Sequence, residues 1–138
     1  MKNTSAAGDR TEGVILARLL QLGKVVLFPF GNSQRYDLVV HEGGVFTRGQ
    51  CKTAKRERGC IVFKTSSIGE TRAPDGTRRY TRRGYEGEID MFYVYSPELD
   101  KVYAVPVGEV PCSEGRLLVE PSSNAKTKSL RLASDYEI

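Results

Sequence analysis

Tyr36-Asp37-Leu38-Val39-Val40-His41 runs into Glu42-Gly43-Gly44 and returns as Val45-Phe46-Thr47-Arg48-Gly49-Gln50-Cys51-Lys52. Two apolar, β-branched runs flank paired glycines that permit the positive φ angles of a tight hairpin, so the stretch predicts two adjacent antiparallel strands. Side chains alternate faces along a strand: Gln50 and Lys52 project from one face, Cys51 from the other, and Asp37 can lie opposite the first pair. A carboxylate, a second oxygen ligand and an ammonium converging on one sheet edge suit a hard divalent cation and an oriented water, as phosphodiester hydrolysis requires. Phosphoryl transfer asks above all for positioning and charge neutralisation.

Outward from this hairpin, Asn3, Thr4 or Ser5 can cap a helix running to about Leu22, with Val14, Ile15, Leu16, Leu19, Leu20 and Leu22 at roughly helical spacing and Gly23 as its stop. Lys24 to Phe28 is a β-branched run that Pro29 terminates, so three antiparallel strands follow one helix. Ile61 to Thr65 reads as a strand after a basic turn at Arg56 to Gly59. Ile89 to Tyr95 alternates, Ser96 to Asp100 turns, and Lys101 to Val107 returns as a hairpin strand. Residues 66 to 88 form a long polar segment without clear periodicity, of the kind that is functional or disordered. Val107 to Pro111 reads as a short helical remnant, and Asn124 to Tyr136 as a terminal helix or strand.

At 138 residues and 39% hydrophobic, the chain is expected to form a single domain over residues 1–138 with one core. No stretch approaches the ~20 apolar residues of a membrane span, and the first residues lack a secretory apolar region. The expectation is an intracellular protein, cytoplasmic or nucleoid-associated. Cys51, Cys60 and Cys112 show no C-x-x-C pairing, and one histidine, His41, cannot complete a usual zinc set. That shortage also argues against nucleases and triads whose chemistry depends on histidine. Cys51 and Cys60 read as small buried apolar residues.

The D-x12-Q-x-K spacing from Asp37 to Gln50 and Lys52 resembles the PD-(D/E)XK nuclease superfamily, in which a metal-binding aspartate is followed one hairpin later by an acid-x-lysine pair. Within it, the chain resembles the small homing endonucleases associated with group I introns, which carry Q-x-K in place of acid-x-K. The resemblance covers roughly the whole chain from the Glu12 region and includes Pro29 through Asp37, Gln50-Cys51-Lys52-Thr53-Ala54, Tyr85-Glu86-Gly87-Glu88-Ile89-Asp90, Val102-Tyr103-Ala104-Val105-Pro106 and Ala133 to Glu137. It implies an α/β fold with a restriction-endonuclease-like core, an N-terminal helix packed on a mixed, largely antiparallel sheet.

The same resemblance implies the site. Asp37 is a direct ligand of Mg2+, for which Mn2+ substitutes, and Gln50 offers its amide oxygen to the metal or to the attacking water. The Cys51 backbone carbonyl completes the inner sphere. Lys52 stabilises charge on the phosphate and helps orient or deprotonate the water. Glu12, the position matching the acid on the family's N-terminal helix, binds the metal directly or through water; from the residues alone it is a surface glutamate. No nucleotide cofactor is implied. Asp90 reads as a cap, a salt-bridge partner or an acid behind the ligands.

Lys and Arg number 21 against 17 acids, a net charge of +4. The excess is modest, but it is concentrated: Arg72, Arg78, Arg79, Arg82 and Arg83 interleave with Tyr80 and Tyr85, and Lys55, Arg56 and Arg58 follow the Q-x-K strand. The first cluster suits double-stranded DNA, with arginines reading guanine edges and tyrosines on the backbone; the second suits phosphate clamping. A protomer this small has little surface for a long site, and the resemblance implies a homotetramer on one pseudopalindromic target. The expected function is a site-specific, metal-dependent double-strand DNA endonuclease of the intron-homing type. Alternatives are a structure-selective nuclease resembling a Holliday junction resolvase, or a DNA-binding protein with a degraded nuclease site, the last motivated by Gln50.

Overall fold

A computed structural model describes residues 4–120 and 129–138. The N-terminal helix, α1, spans Thr4–Gln21. Thr11, Ile15 and Leu19 recur every four residues and are buried, forming the stripe that α1 lays against the sheet. Gly23 ends the helix with φ +76°, its N–H reaching the Leu20 carbonyl while Lys24 N–H reaches that of Leu19. This is the paired bonding of a left-handed glycine cap, which side-chain-bearing residues rarely adopt.

The five-stranded sheet has the order β1-β2-β3-β8-β9, built from β1 (Val25–Leu27), β2 (Leu38–Glu42), β3 (Val45–Thr53), β8 (Met91–Ser96) and β9 (Lys101–Pro106). The predicted hairpin is present: Leu38 pairs with Gly49 and Glu42 with Val45 across Gly43 and Gly44, both at positive φ. β3 and β8 run parallel and the other neighbours antiparallel, so the sheet is mixed and mostly antiparallel, as expected for a restriction-endonuclease-like α/β fold. Parallel neighbours need a crossover, and the chain between β3 and β8 supplies it as strands rather than as a helix.

That crossover carries β4 (Lys55–Glu57) and β5 (Cys60–Lys64), which join β10 (Glu114–Leu118) in a three-stranded sheet of order β10-β5-β4. The five-stranded sheet is thus covered by α1 on one face and by this small sheet on the other. Leu38, Val40 and Tyr93 pack with Ile15 and Leu19 on the helix side. Ile61, Phe63 and Leu117 pack with Phe92, Val94, Tyr103 and Val105 on the opposite side. Phe63 meets Phe92 edge to face at 5.8 Å. Full burial of side chains of this size contributes roughly 1.5–3 kcal/mol each, so the two apolar layers hold the sheet between them.

Several expectations are corrected. The basic turn at Arg56 to Gly59 is tighter than expected: Lys55–Glu57 is a strand, and only Arg58 and Gly59 turn, both at positive φ. Residues 66 to 88 are not a structureless segment; they contain β6 (Ser66–Arg72) and β7 (Arg78–Gly84), a two-stranded antiparallel ribbon. Its two faces are largely exposed, so no apolar alternation marks it. Pro74-Asp75-Gly76 is its turn signal, with Thr77 N–H on the Asp75 carboxylate and Gly76 at φ +86°. Val107–Glu109 is a single 3-10 turn, and the described part of the Asn124 to Tyr136 segment holds a second one at Ala133–Asp135. Residues 124–128 of that segment lie outside the described residues.

Candidate active site

β2 and β3 place the central residues by register. Leu38 and Gly49 oppose each other toward α1, so Asp37 and Gln50, one step along each strand, turn to the other face. Gly49 is required there: a Cβ would lie 2.4 Å from the Tyr93 ring and 3.2 Å from Leu38. Asp37 is fixed at both ends, its N–H on the Gly49 carbonyl at 2.8 Å and its Oδ2 accepting the Cys51 N–H at 2.8 Å. Gln50 donates its Nε2 to the Arg35 carbonyl at 2.6 Å, which leaves the amide oxygen as the end that can ligate. Lys52, two residues on and on the same face, donates to the Tyr85 hydroxyl at 3.1 Å.

α1 brings Glu12 to this group. Thr11 and Thr53 share a 2.6 Å hydroxyl hydrogen bond that ties the helix to the end of β3, and Glu12 is the next residue. Its carboxyl is raised above the usual range by partial burial, then by the negative charges of Asp37 and Asp9. Asp37 is raised too, by burial, against the opposing pull of the Cys51 N–H and the Lys52 charge. Burial pushes the Cys51 thiol up strongly, with Asp37 and Glu12 adding to it. The site therefore holds two carboxylates whose negative charge is incompletely balanced. Cys51 is partly buried, Cys60 buried and Cys112 exposed, and all three are free thiols.

Among the described residues, no group of three His, Cys, Asp or Glu side chains could hold a metal ion. A cation here would draw on two carboxylates together with neutral oxygens, namely the Gln50 amide and the Cys51 carbonyl. An all-oxygen set with uncompensated carboxylate charge fits a hard divalent ion and does not fit zinc.

The basic residues divide into paired and unpaired. Arg56 pairs with Glu120, Arg78 with Glu70 at 3.3 Å and Arg83 with Glu88 at 2.9 Å. Arg72, Arg79, Arg82, Lys55 and Arg58 have no carboxylate partner among the described residues and are exposed. On the ribbon, Arg72 faces Arg78, Glu70 faces Tyr80, and Ile68 faces Arg82 on one side, while Arg79 and Arg83 lie on the other. Lys55 joins Lys52, Thr53 and Lys64 along an open cleft of about 400 Å3, whereas Arg58 sits at the β4–β5 turn. Asp90 grips Arg48 through both carboxylate oxygens at 3.1 Å and also accepts its N–H, bracing β3 against the start of β8.

Sequence reasoning overlooked Arg35, Thr11 and Thr53. Nothing in their spacing singles them out, because their partners lie 15 to 49 residues away and are set by the tertiary fold. Tyr85 was visible as one aromatic among arginines, but not as the partner of Lys52.

A strand-borne carboxylate, amide and ammonium on one face, with a helix-borne glutamate alongside, would suit metal-assisted phosphodiester hydrolysis. The sequence model of the PD-(D/E)XK endonuclease family matches residues 2–138, and the chain belongs to that family. Among solved structures it is similar to that of a bacterial homing endonuclease, I-Ssp6803I, at 25% identity and a TM-score of 0.76, over 99% of this chain and 89% of that one. No curated protein sequence matches the chain.

Proposed function

We propose that this nuclease is a divalent-metal-dependent, site-specific endonuclease of the intron-homing type, hydrolysing both strands of double-stranded DNA at a long pseudopalindromic target. The observation that carries the reading is the convergence of Asp37, Gln50 and Lys52 on one face of β2–β3, with the charge of Asp37 felt at Glu12. Likeness to a homing endonuclease supports the intron-homing assignment.

In this reading Asp37, Glu12, the Gln50 amide oxygen and the Cys51 carbonyl hold Mg2+, with Mn2+ able to replace it. An ion held there would supply Lewis-acid polarisation of the phosphate and would make water more acidic. Asp37 is held in place for this by the Cys51 N–H, and the Gln50 oxygen is oriented by the bond its nitrogen makes to Arg35. Lys52, as an ammonium held by the Tyr85 hydroxyl, turns its positive charge toward the scissile phosphate and orients the attacking water. The unpaired Arg72, Arg79 and Arg82, with Tyr80, form a projecting basic ribbon of the width that enters a DNA groove. Lys55 supplies a phosphate contact beside Lys52.

The chain acts as a homotetramer in this account. Val25, Leu27, Phe28 and Phe30 are exposed along the free edge of β1 and the loop beyond it, and Val45 and Phe46 are exposed at the β2–β3 tip. An apolar surface beside an unpaired strand edge favours association. Light scattering reports the mass, and electrophoresis of phage DNA digested with Mg2+ tests for discrete fragments. Preference for branched over linear DNA would transfer the reading to a junction resolvase, and binding without metal-dependent cleavage to a degraded nuclease.

A further inference from the structure

Lysine reaches a phosphate through four rotatable bonds, so its usefulness in catalysis depends on what holds its ammonium. Here that partner is Tyr85. Lys52 Nζ donates to its hydroxyl at 3.1 Å and also lies 4.9 Å from the ring centroid. Tyr85 cannot swing with it: the ring is buried, stands edge-on to Phe92 at 5.7 Å, and carries the Arg35 guanidinium over it at 3.9 Å. Both cations are drawn to the negative face of one ring.

Arg35 in turn belongs to three parts of the molecule. Its carbonyl accepts the Gln50 amide. Its guanidinium donates to Ser67 Oγ at 2.6 Å and to the Gly84 carbonyl at 2.8 Å, residues at the base of β6 and β7 where the ribbon leaves the body. Its Nε lies 3.4 Å from Glu88 Oε2, close enough for an ion pair although the geometry makes no hydrogen bond. The loop before Asp37, the root of the basic ribbon and the two Q-x-K side chains are therefore joined through one arginine and one tyrosine.

We propose that Tyr85, braced by Arg35, is a positioning residue for Lys52, and that the pair ties the cutting face to the base of the ribbon that grips DNA. The inference rests on the nuclease reading above. Tyr85 acts through Lys52 without itself reaching the substrate, and Arg35 holds Tyr85 and Gln50 in register with the ribbon.

The test is Tyr85→Phe, which keeps the ring against Phe92 and Arg35 and removes only the hydroxyl. Two quantities are read on the intact protein: the single-turnover cleavage rate with affinity for the same DNA in Ca2+, and the rate at which an amine-acylating reagent labels Lys52, followed by mass spectrometry. The proposal predicts cleavage slowed by about tenfold with affinity within about twofold of wild type, and Lys52 labelled several-fold faster while Lys101 is unchanged. Unchanged cleavage, or unchanged Lys52 labelling, overturns it. A wild-type protein that binds but does not cut would instead overturn the nuclease reading, and the labelling result would still report whether Tyr85 holds Lys52.

Discussion

The backbone N–H of Cys51 donates to the carboxylate of Asp37 at 2.8 Å across the β2–β3 hairpin. The residue between Gln50 and Lys52 thus points its side chain toward α1 while its main chain aims the aspartate, and one strand supplies both the aspartate's support and its two neighbours in the site.

Asp37→Asn tests that arrangement. The asparagine oxygen still accepts the Cys51 N–H, so the fold is retained, while the partly buried charge disappears. Cleavage falls by about 10^3-fold or more, as expected when a principal ligand and its charge are lost. Thermal unfolding without metal occurs at a higher temperature than for wild type, because a desolvated carboxylate has been neutralised. A lower metal-free Tm would contradict the assignment of Asp37 as a desolvated charge.

The raised carboxyls of Asp37 and Glu12 set a pH dependence. Their ordinary values are 3.8 and 4.5, and both are higher in the fold, so between each ordinary value and its raised one the folded chain holds more protons than the unfolded chain. Their contribution to metal-free stability is therefore most favourable below the unfolded values and is lost as pH rises through the folded ones. A divalent ion competes with those protons and reverses the trend. At a free Mg2+ concentration of about 100 times Kd it adds about 2.7 kcal/mol, and the added Tm is larger at pH 7.5 than at pH 5. Glu12→Gln reduces that increment, as differential scanning calorimetry with and without Mg2+ will report.

Gln50→Glu supplies the family's more usual acid but removes the donor that meets the Arg35 carbonyl. A carboxylate oxygen facing that carbonyl costs about 1–3 kcal/mol, the penalty of an unmatched polar contact. The variant is predicted to bind Mg2+ more tightly by calorimetry and to unfold at lower temperature without it. Equal stability would mean that the amide orientation does not matter.

Arg79→Ala and Arg82→Ala each remove an unpaired charge from opposite faces of the ribbon. If either meets a phosphate, the slope of log affinity against log salt falls in magnitude by about 0.9. Arg78→Ala, whose charge is already matched by Glu70, changes the slope less. Fluorescence anisotropy across a salt series measures all three.

The hairpin bearing Asp37, Gln50 and Lys52 was legible because its alternation and paired glycines are local signals, and α1 because apolar residues such as Ile15, Leu19 and Leu22 recur at helical spacing before Gly23. The β6–β7 ribbon was not, since a strand pair that packs on no core has no reason to alternate; only Pro74-Asp75-Gly76 announced its turn. β10 is short and leans on β5 from far along the chain, a pairing that no local pattern encodes. Arg35 was invisible for a similar reason: each of its partners arrives from a different element.

The most direct measurement is digestion of large phage DNA and supercoiled plasmid containing the genuine site, with Mg2+ or Mn2+ at low salt, by wild type, Asp37→Ala and Lys52→Ala. Discrete fragments from wild type, absent without metal and in both variants, are the predicted result. Cleavage that survives in Asp37→Ala, or that proceeds without a divalent ion, would contradict the site assigned here.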